Sequence, residues 1–390
     1  MKVLMVNHFP LTGSGSGVYT TNIANSLTKL GHEVCCIYPD NAPDANTWRF
    51  KTHPVLFNSE QADFNFPCFT THPRSNTTFD DLTELQLKTY LEIFEQAISR
   101  EIDEFKPDII HCGHIWLLAD VAEKFDRAVV ITSHGTDLMG IKNSERFRDN
   151  AISAARGASA IISISKGNLS ELKSTLPEFE EKFHLISNGY NTDVFYPEDT
   201  SVDDVLKMFD ISGDYKKIVS FAGKFAHFKG IDVLLHANAI YDRSDICTIL
   251  AGDGELFQEM TELKDELGLR NTFFVHNQPH DKLRKLYSAA TVSLVPSRNE
   301  PFGLVAIEAG ACGAPIVGSR SGGLIDIIKP ETGIFFEQDN AEELANCVNS
   351  ILDERLYFER DEVAEVTRKT FAQGRFTQQM IDEVYRPALD

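Results

Sequence analysis

Short apolar runs rich in Val and Ile recur along this chain, each followed by a longer amphipathic stretch, and that alternation leaves few folds open. "KVLMVNHF" (2–9), "HEVCCIYP" (32–39), "PDIIHCG" (107–113), "AVVITSHG" (128–135), "ASAIISIS" (158–165) and "FHLISNG" (183–189) read as strands. Runs of this kind are apolar throughout rather than alternating, as strands buried on both faces must be. Helical segments between them, such as "VYTTNIANSLTKLG" (18–31), supply the crossovers that parallel strands need. A second series follows with "KIVSFAGK" (217–224), "DICTILAGDGE" (245–255), "NTFFVHN" (271–277), "ATVSLVPS" (290–297), "PIVGSRSGG" (315–323) and "GIFFE" (333–337). Between the two, "SNGYNTDVFYPED" (187–199) is turn chemistry and reads as a linker.

The expected fold is therefore α/β: two doubly wound, Rossmann-like parallel-sheet domains facing a central cleft, with ligands at the carboxyl ends of the strands. The chain has 390 residues, more than one core usually supports. The expected division is an acceptor-side domain over 1–190 and a second domain over 191–370. The segment 371–390 would be a helix packing back on the first domain.

Charge narrows the partners. Lys and Arg number 37 against 58 Asp and Glu, a formal net charge of −21. Such a surface repels nucleic acid and anionic lipid, so neither is an expected partner, and any polyanion must be small and met by a few placed cations. No apolar run is long enough for stable membrane insertion. "MKVLMVNHFP" is soon broken by Pro10 and reads as a first strand, so the cytoplasm is the expected compartment. Seven scattered cysteines without a CxxC fit reduced, buried thiols.

Four stretches carry chemistry. In "LTGSGSGVYT" (11–20), Gly15, Ser16 and Gly17 precede a helix start and suit a loop facing phosphate or sugar. A dinucleotide fingerprint fails there, because the sixth residue from Gly13 is Val18 and from Gly15 is Thr20, although Asp40 mimics a ribose-binding acid. "FAGKFAHFKG" (221–230) offers Gly223, Lys224 and Lys229 at a strand end, placed for a pyrophosphate. "RNEPFGLVAIEAGACGAP" (298–315) sets Glu300 before a helix opened by Pro301 and Glu308 inside it. The amides of Phe302, Gly303 and Leu304 would form an anion site at that helix start. Two carboxylates flanking an anion make sense as hydroxyl acceptors, one for each of two sugar rings. A nucleotide-sugar has that layout. His134, in "SHGTDLMG", stands at a strand's carboxyl end as a candidate ligand contact. "HCGH" (111–114) has the residue types of a metal site but no usual spacing.

Taken in order, the N-terminal glycine loop, "HGTD", "NGYNTDVFYP", "GKFAHFKG", the Glu-x7-Glu stretch and "SGG" (321–323) resemble the family-4 retaining glycosyltransferases of GT-B fold. The resemblance implies a retaining transfer from a nucleotide-diphosphate sugar, expected to be a UDP-sugar such as UDP-N-acetylglucosamine or UDP-glucose. The acceptor would be a hydroxyl of a small soluble molecule. It implies His134, Glu300, Lys229 and Lys224 in catalysis. Donor binding would fall to Gly15, Ser16, Gly17, Gly223, Lys224, Lys229, Phe302, Gly303, Leu304 and Glu308. No cofactor beyond the co-substrate donor and no metal is expected, since the Asp-x-Asp motif of metal-dependent relatives is missing. Where the family more often has Arg, Lys224 keeps the charge but loses the bidentate fork. His53, His72 and Arg74 are further residues that an acceptor could meet. The same chemistry on a membrane lipid or polysaccharide precursor, a sugar-nucleotide epimerase, a nicotinamide enzyme and a non-catalytic binding module stay open as alternatives, as does a homodimer.

Overall fold

The protein is described by a computed structural model covering residues 1–42, 48–69, 72–241, 243–300 and 302–390. Pro301, read above as a first helical position, lies outside the described residues. The chain divides into two compact units, one formed by Met1–Asn188 with Gln373–Asp390, the other by Gly189–Ala372.

The first unit is built on seven strands: β1 (Lys2–Asn7), β2 (Glu33–Asp40), β3 (Lys51–Leu56), β4 (Ile109–Gly113), β5 (Ala128–Ser133), β6 (Ala160–Ser163) and β7 (Phe183–Leu185). They are all parallel in the order β3-β2-β1-β4-β5-β6-β7. The order reverses between β1 and β4, whose register pairs Val3 with Ile109 and Asn7 with Gly113. Leu4, Val6, Ile110 and Ile131 sit in a core closed by helices such as Glu84–Glu104, which Thr83 and Gln86 start with a reciprocal capping box. The segment Gln373–Asp390 belongs to this unit by its contacts. Its Tyr385 hydroxyl lies 2.7 Å from His111 Nδ1 on β4, and His111 Nε2 lies 2.7 Å from Thr132 Oγ1 on β5.

The second unit repeats the plan with β8 (Lys217–Ala222), β9 (Ile246–Ala251), β10 (Thr272–Val275), β11 (Val292–Val295), β12 (Ile316–Ser319) and β13 (Gly333–Phe336). All pairs are parallel, in the order β10-β9-β8-β11-β12-β13, reversing between β8 and β11. A doubly wound sheet opens a crevice where its strand order reverses. The loops after β8 and β11 and those after β1 and β4 hold most of the residues singled out in the sequence.

Candidate active site

In the second unit, the loops after β8 and β11 are locked together by contacts that only glycine and one arginine permit. A Cβ on Gly230, whose φ is +65°, would stand 2.1 Å from the Pro296 carbonyl oxygen. Arg298 donates to both oxygens of Asp232 at 2.9 and 2.6 Å, to Asp339 at 2.6 Å and to the His227 carbonyl at 2.8 Å. This clamp was not legible as such in "SRNEPFG"; only its place beside Glu300 hinted at it. With the loops fixed, Lys229 Nζ donates to Glu300 Oε2 at 2.6 Å, and Ser297 Oγ donates to the same oxygen at 3.0 Å. Glu300 is 6% exposed. The "SGG" stretch grips it from behind: Gly323 N donates to the Glu300 carbonyl at 2.7 Å, and a Cβ on Gly322 would meet that oxygen at 2.2 Å.

Three sequence expectations change here. The helix runs Leu304–Ala311 and starts later than expected, with Gly303 as N-cap at φ +106°. Phe302 and Gly303 therefore precede the helix, and the open first-turn amides begin at Leu304. Glu308 sits in the second turn, half-buried, and withdrawal of its carboxyl from water pushes it up to about 8. Lys224 does not join Lys229: it points outward and pairs with Glu255 at 3.0 Å between exposed side chains. Gly223 closes the loop, its amide donating to the Ala251 carbonyl at 3.0 Å.

In the first unit the helix after β1 runs Gly15–Lys29 rather than from Val18, so Gly15, Ser16 and Gly17 form its first turn. Ser14 caps it by accepting from the Gly17 amide at 3.1 Å. Glycine at 17 answers a need within the chain, because a Cβ there would meet the Pro10 carbonyl at 2.3 Å, whereas Gly15 has open space.

His134 lies in the turn after β5. Asp137 builds that turn: its carboxylate accepts from Ser133 Oγ at 3.1 Å, from the amides of His134, Gly135 and Leu138 at 3.2, 2.8 and 3.1 Å, and from Ile115 at 3.0 Å. Burial raises the Asp137 carboxyl to about 6, against the donors from Ile115, Leu138, Ser133 and Gly135, which pull it down. His134 Nε2 is buried without a protein partner, and its ring meets Tyr19 edge-on at 4.8 Å.

It is not alone. Asn7 Nδ2, His8 Nε2, both ring nitrogens of His114 and Trp116 Nε1 are also buried and unpartnered. A group left so costs about 1–3 kcal/mol. The His114 backbone has φ +115°, a region that a side chain other than glycine adopts only under strain. The "HCGH" run is thus divided in function. His111 has both nitrogens committed, and His114 has neither.

The residues considered for an acceptor are engaged within the chain, and His53 lies on β3 rather than in a loop. His53 Nδ1 lies 2.8 Å from Glu101, Arg74 Nη1 donates to both Asp40 oxygens at 2.8 and 2.7 Å, and His72 Nε2 is 3.3 Å from the Thr12 carbonyl. Asp40, which mimicked a ribose-binding acid, is therefore occupied. No helix among the described residues is long and apolar enough to cross a membrane.

Comparison with known proteins gives the same picture for both halves. The family described as Glycosyltransferase Family 4 matches residues 13–194, and Glycosyl transferases group 1 matches 207–370. An uncharacterized glycosyltransferase of Methanocaldococcus jannaschii is 28% identical over 377 residues, covering 91% of this chain and 90% of that protein. The D-inositol 3-phosphate glycosyltransferase of Corynebacterium aurimucosum is 27% identical, covering 91% and 88%. Among solved structures, sucrose-phosphate synthase from Thermosynechococcus elongatus superposes with TM-score 0.74 at 23% identity, covering 99% of this chain and 98% of that one. Anabaena HepE in complex with UDP and glucose gives TM-score 0.73 at 18% identity, covering 99% of both.

Proposed function

Since the chain belongs to the family-4 glycosyltransferases of GT-B fold, we propose that it transfers a sugar from a nucleotide-diphosphate donor to a hydroxyl of a small acceptor, with retention at the anomeric carbon and without a metal. The observation that carries the reading is the Lys229–Glu300 pair, 2.6 Å apart, beside the open amides of the Leu304–Ala311 helix. A half-buried cation beside a helix N-terminus suits a diphosphate, and a buried carboxylate next to it suits sugar hydroxyls.

The roles follow from charge. As the sugar–phosphate bond breaks, positive charge develops on the anomeric carbon and negative charge on the leaving diphosphate. Lys229 and the first-turn amides stabilise the diphosphate. Lys224 would join them by exchanging its exposed partner Glu255, a pair that contributes little. Glu300 holds hydroxyls of the transferred sugar and acts as positioner rather than nucleophile. Glu308 accepts from the ribose, and Phe302, Gly303 and Leu304 shape the wall between the rings. Gly223 lets the first lysine loop approach the phosphates. The family resemblance would assign Gly15, Ser16 and Gly17, at the first unit's helix start, to the donor and His134 to the reacting sugar. The leaving phosphate assists removal of the acceptor proton on the same face, which retains configuration.

A UDP-linked sugar such as UDP-N-acetylglucosamine or UDP-glucose is the donor of choice, supported by the UDP complexes of HepE. The acidic charge of −21 favours a soluble acceptor over an anionic lipid surface. The test is a panel of sugar nucleotides scored by nucleotide released. Wild-type protein should release UDP slowly from at least one, and Lys229→Ala and Glu300→Ala should each lower that rate about a hundredfold or more with an unchanged circular dichroism spectrum. Full activity in both variants rejects this site.

A further inference from the structure

We propose that Asn7, His8, His114 and His134 form the recognition site for the acceptor, and that the acceptor they fit is an uncharged polyhydroxylated molecule, a sugar or polyol. The inference rests on the glycosyltransfer reading above and adds the acceptor's chemical class.

The four residues come from three separate elements: the end of β1, the end of β4 and the end of β5. They meet where the strand order of this sheet reverses, the place where a doubly wound sheet leaves room for a ligand. The rings of His8 and His114 are 5.7 Å apart, and those of His114 and His134 are 4.8 Å apart. Asn7 stands against β4, close enough that a Cβ on Gly113 would lie 2.9 Å from its Oδ1. Five polar atoms of these four side chains are buried with no protein partner. His8 and His114 are each 1% exposed, and His114 is held there by a left-handed backbone at φ +115°. Unpaired buried groups and backbone strain in one place cost stability, and both are expected where a ligand completes the hydrogen bonds.

The chemistry of the lining selects the ligand. Burial lowers the imidazoles of His8 and His134 to about 3 and holds that of His114 well below its ordinary value. At neutral pH each ring is uncharged. His114 offers one donor and one acceptor, while His8, whose Nδ1 lies 2.7 Å from the Tyr90 hydroxyl, and His134 each offer an unpartnered Nε2. Such a mixed set matches hydroxyls, which both donate and accept. A phosphate or carboxylate needs a counter-charge, and Arg74, at the edge of this wall, has its guanidinium committed to Asp40 and Thr12. Phe9 and Phe69 lie 5.4 and 5.0 Å from the His114 ring, apolar faces against which the C–H side of a sugar ring packs.

Two measurements test this. In the first, glucose and myo-inositol are compared with glucose 6-phosphate, inositol phosphate and malate as acceptors, using the donor that the protein hydrolyses. A neutral compound should be preferred at least tenfold in kcat/KM, and His8→Leu or His114→Asn should raise its KM at least tenfold. Asn tolerates the left-handed backbone, so the second variant folds where a bulkier one would not. Preference for a charged counterpart, or an unchanged acceptor KM in both variants, overturns the proposal. The second needs no donor: in a Trp48→Phe protein, fluorescence of Trp116, 5.1 Å from Phe69, is followed as glucose and myo-inositol are added. Saturable change supports the site. Silence beside active donor hydrolysis overturns the site while leaving glycosyl transfer standing, and absence of any donor hydrolysis counts against glycosyl transfer itself.

Discussion

Glu308 shows how one residue's environment sets a measurable behaviour. Its carboxyl, raised to about 8 by burial, is mostly protonated at neutral pH in the free protein. Ribose hydroxyls donate to a carboxylate, so nucleotide binding favours the deprotonated form. UDP affinity should therefore rise about tenfold between about pH 7 and 9 and flatten above, as linkage requires. Titration calorimetry across that range would show it, and Glu308→Gln should remove the slope. Lys229 is the companion case. With side chains only 15% and 7% exposed, the Lys229–Glu300 pair loses its compensation when either partner is removed. Lys229→Ala should cost about 3 kcal/mol of stability, seen in urea unfolding, because a buried carboxylate is left with Ser297 alone. Glu300 and Lys229 were visible in the sequence by their place after strands. Their contact was not, since 71 positions separate them.

At the scale of elements, the loop after β11 is held by neighbours rather than by its own sequence. Arg298 joins it to Asp232, Asp339 and the β8 loop, and Gly322 and Gly323 let the β12 loop lie against Glu300 and Phe302. Gly322→Ala should place a methyl 2.2 Å from the Glu300 carbonyl at φ +49°. The expected result is a loss of about 2 kcal/mol or more in thermal unfolding, with donor hydrolysis falling in parallel. Helix starts are where sequence reading slips. The first helix begins three residues before Val18, because Ser14 caps it and glycine is tolerated in the first turn when packed against Pro10. The Leu304–Ala311 helix begins late because Gly303 takes a left-handed conformation that the helix cannot continue through.

For the whole molecule, the first unit depends on a segment distant in sequence. Phe376, Met380, Ile381, Val384 and Tyr385 are all buried, and Tyr385 meets His111 on β4. At about 1.5–3 kcal/mol for each buried apolar side chain, they contribute on the order of 10 kcal/mol, comparable with the stability of an entire domain. Deleting residues 373–390 should therefore abolish cooperative unfolding of the first unit, measured by hydrogen exchange of β1 and β4. Tyr385→Phe should cost only about 1 kcal/mol, the worth of one hydrogen bond.

The alternation of apolar strands and amphipathic helices determined by itself that this chain makes two doubly wound sheets. Period and burial are local properties, written residue by residue in runs such as "KVLMVN" and "AVVITS". The ordered motifs likewise named the family before any fold was in view. What only the tertiary structure decided is which polar atoms end without a partner. His111 and His114 share one short run, yet the fold gives the first two partners and the second none. Pairing depends on which strands and helices arrive at that spot from far along the chain, and no local pattern carries that information.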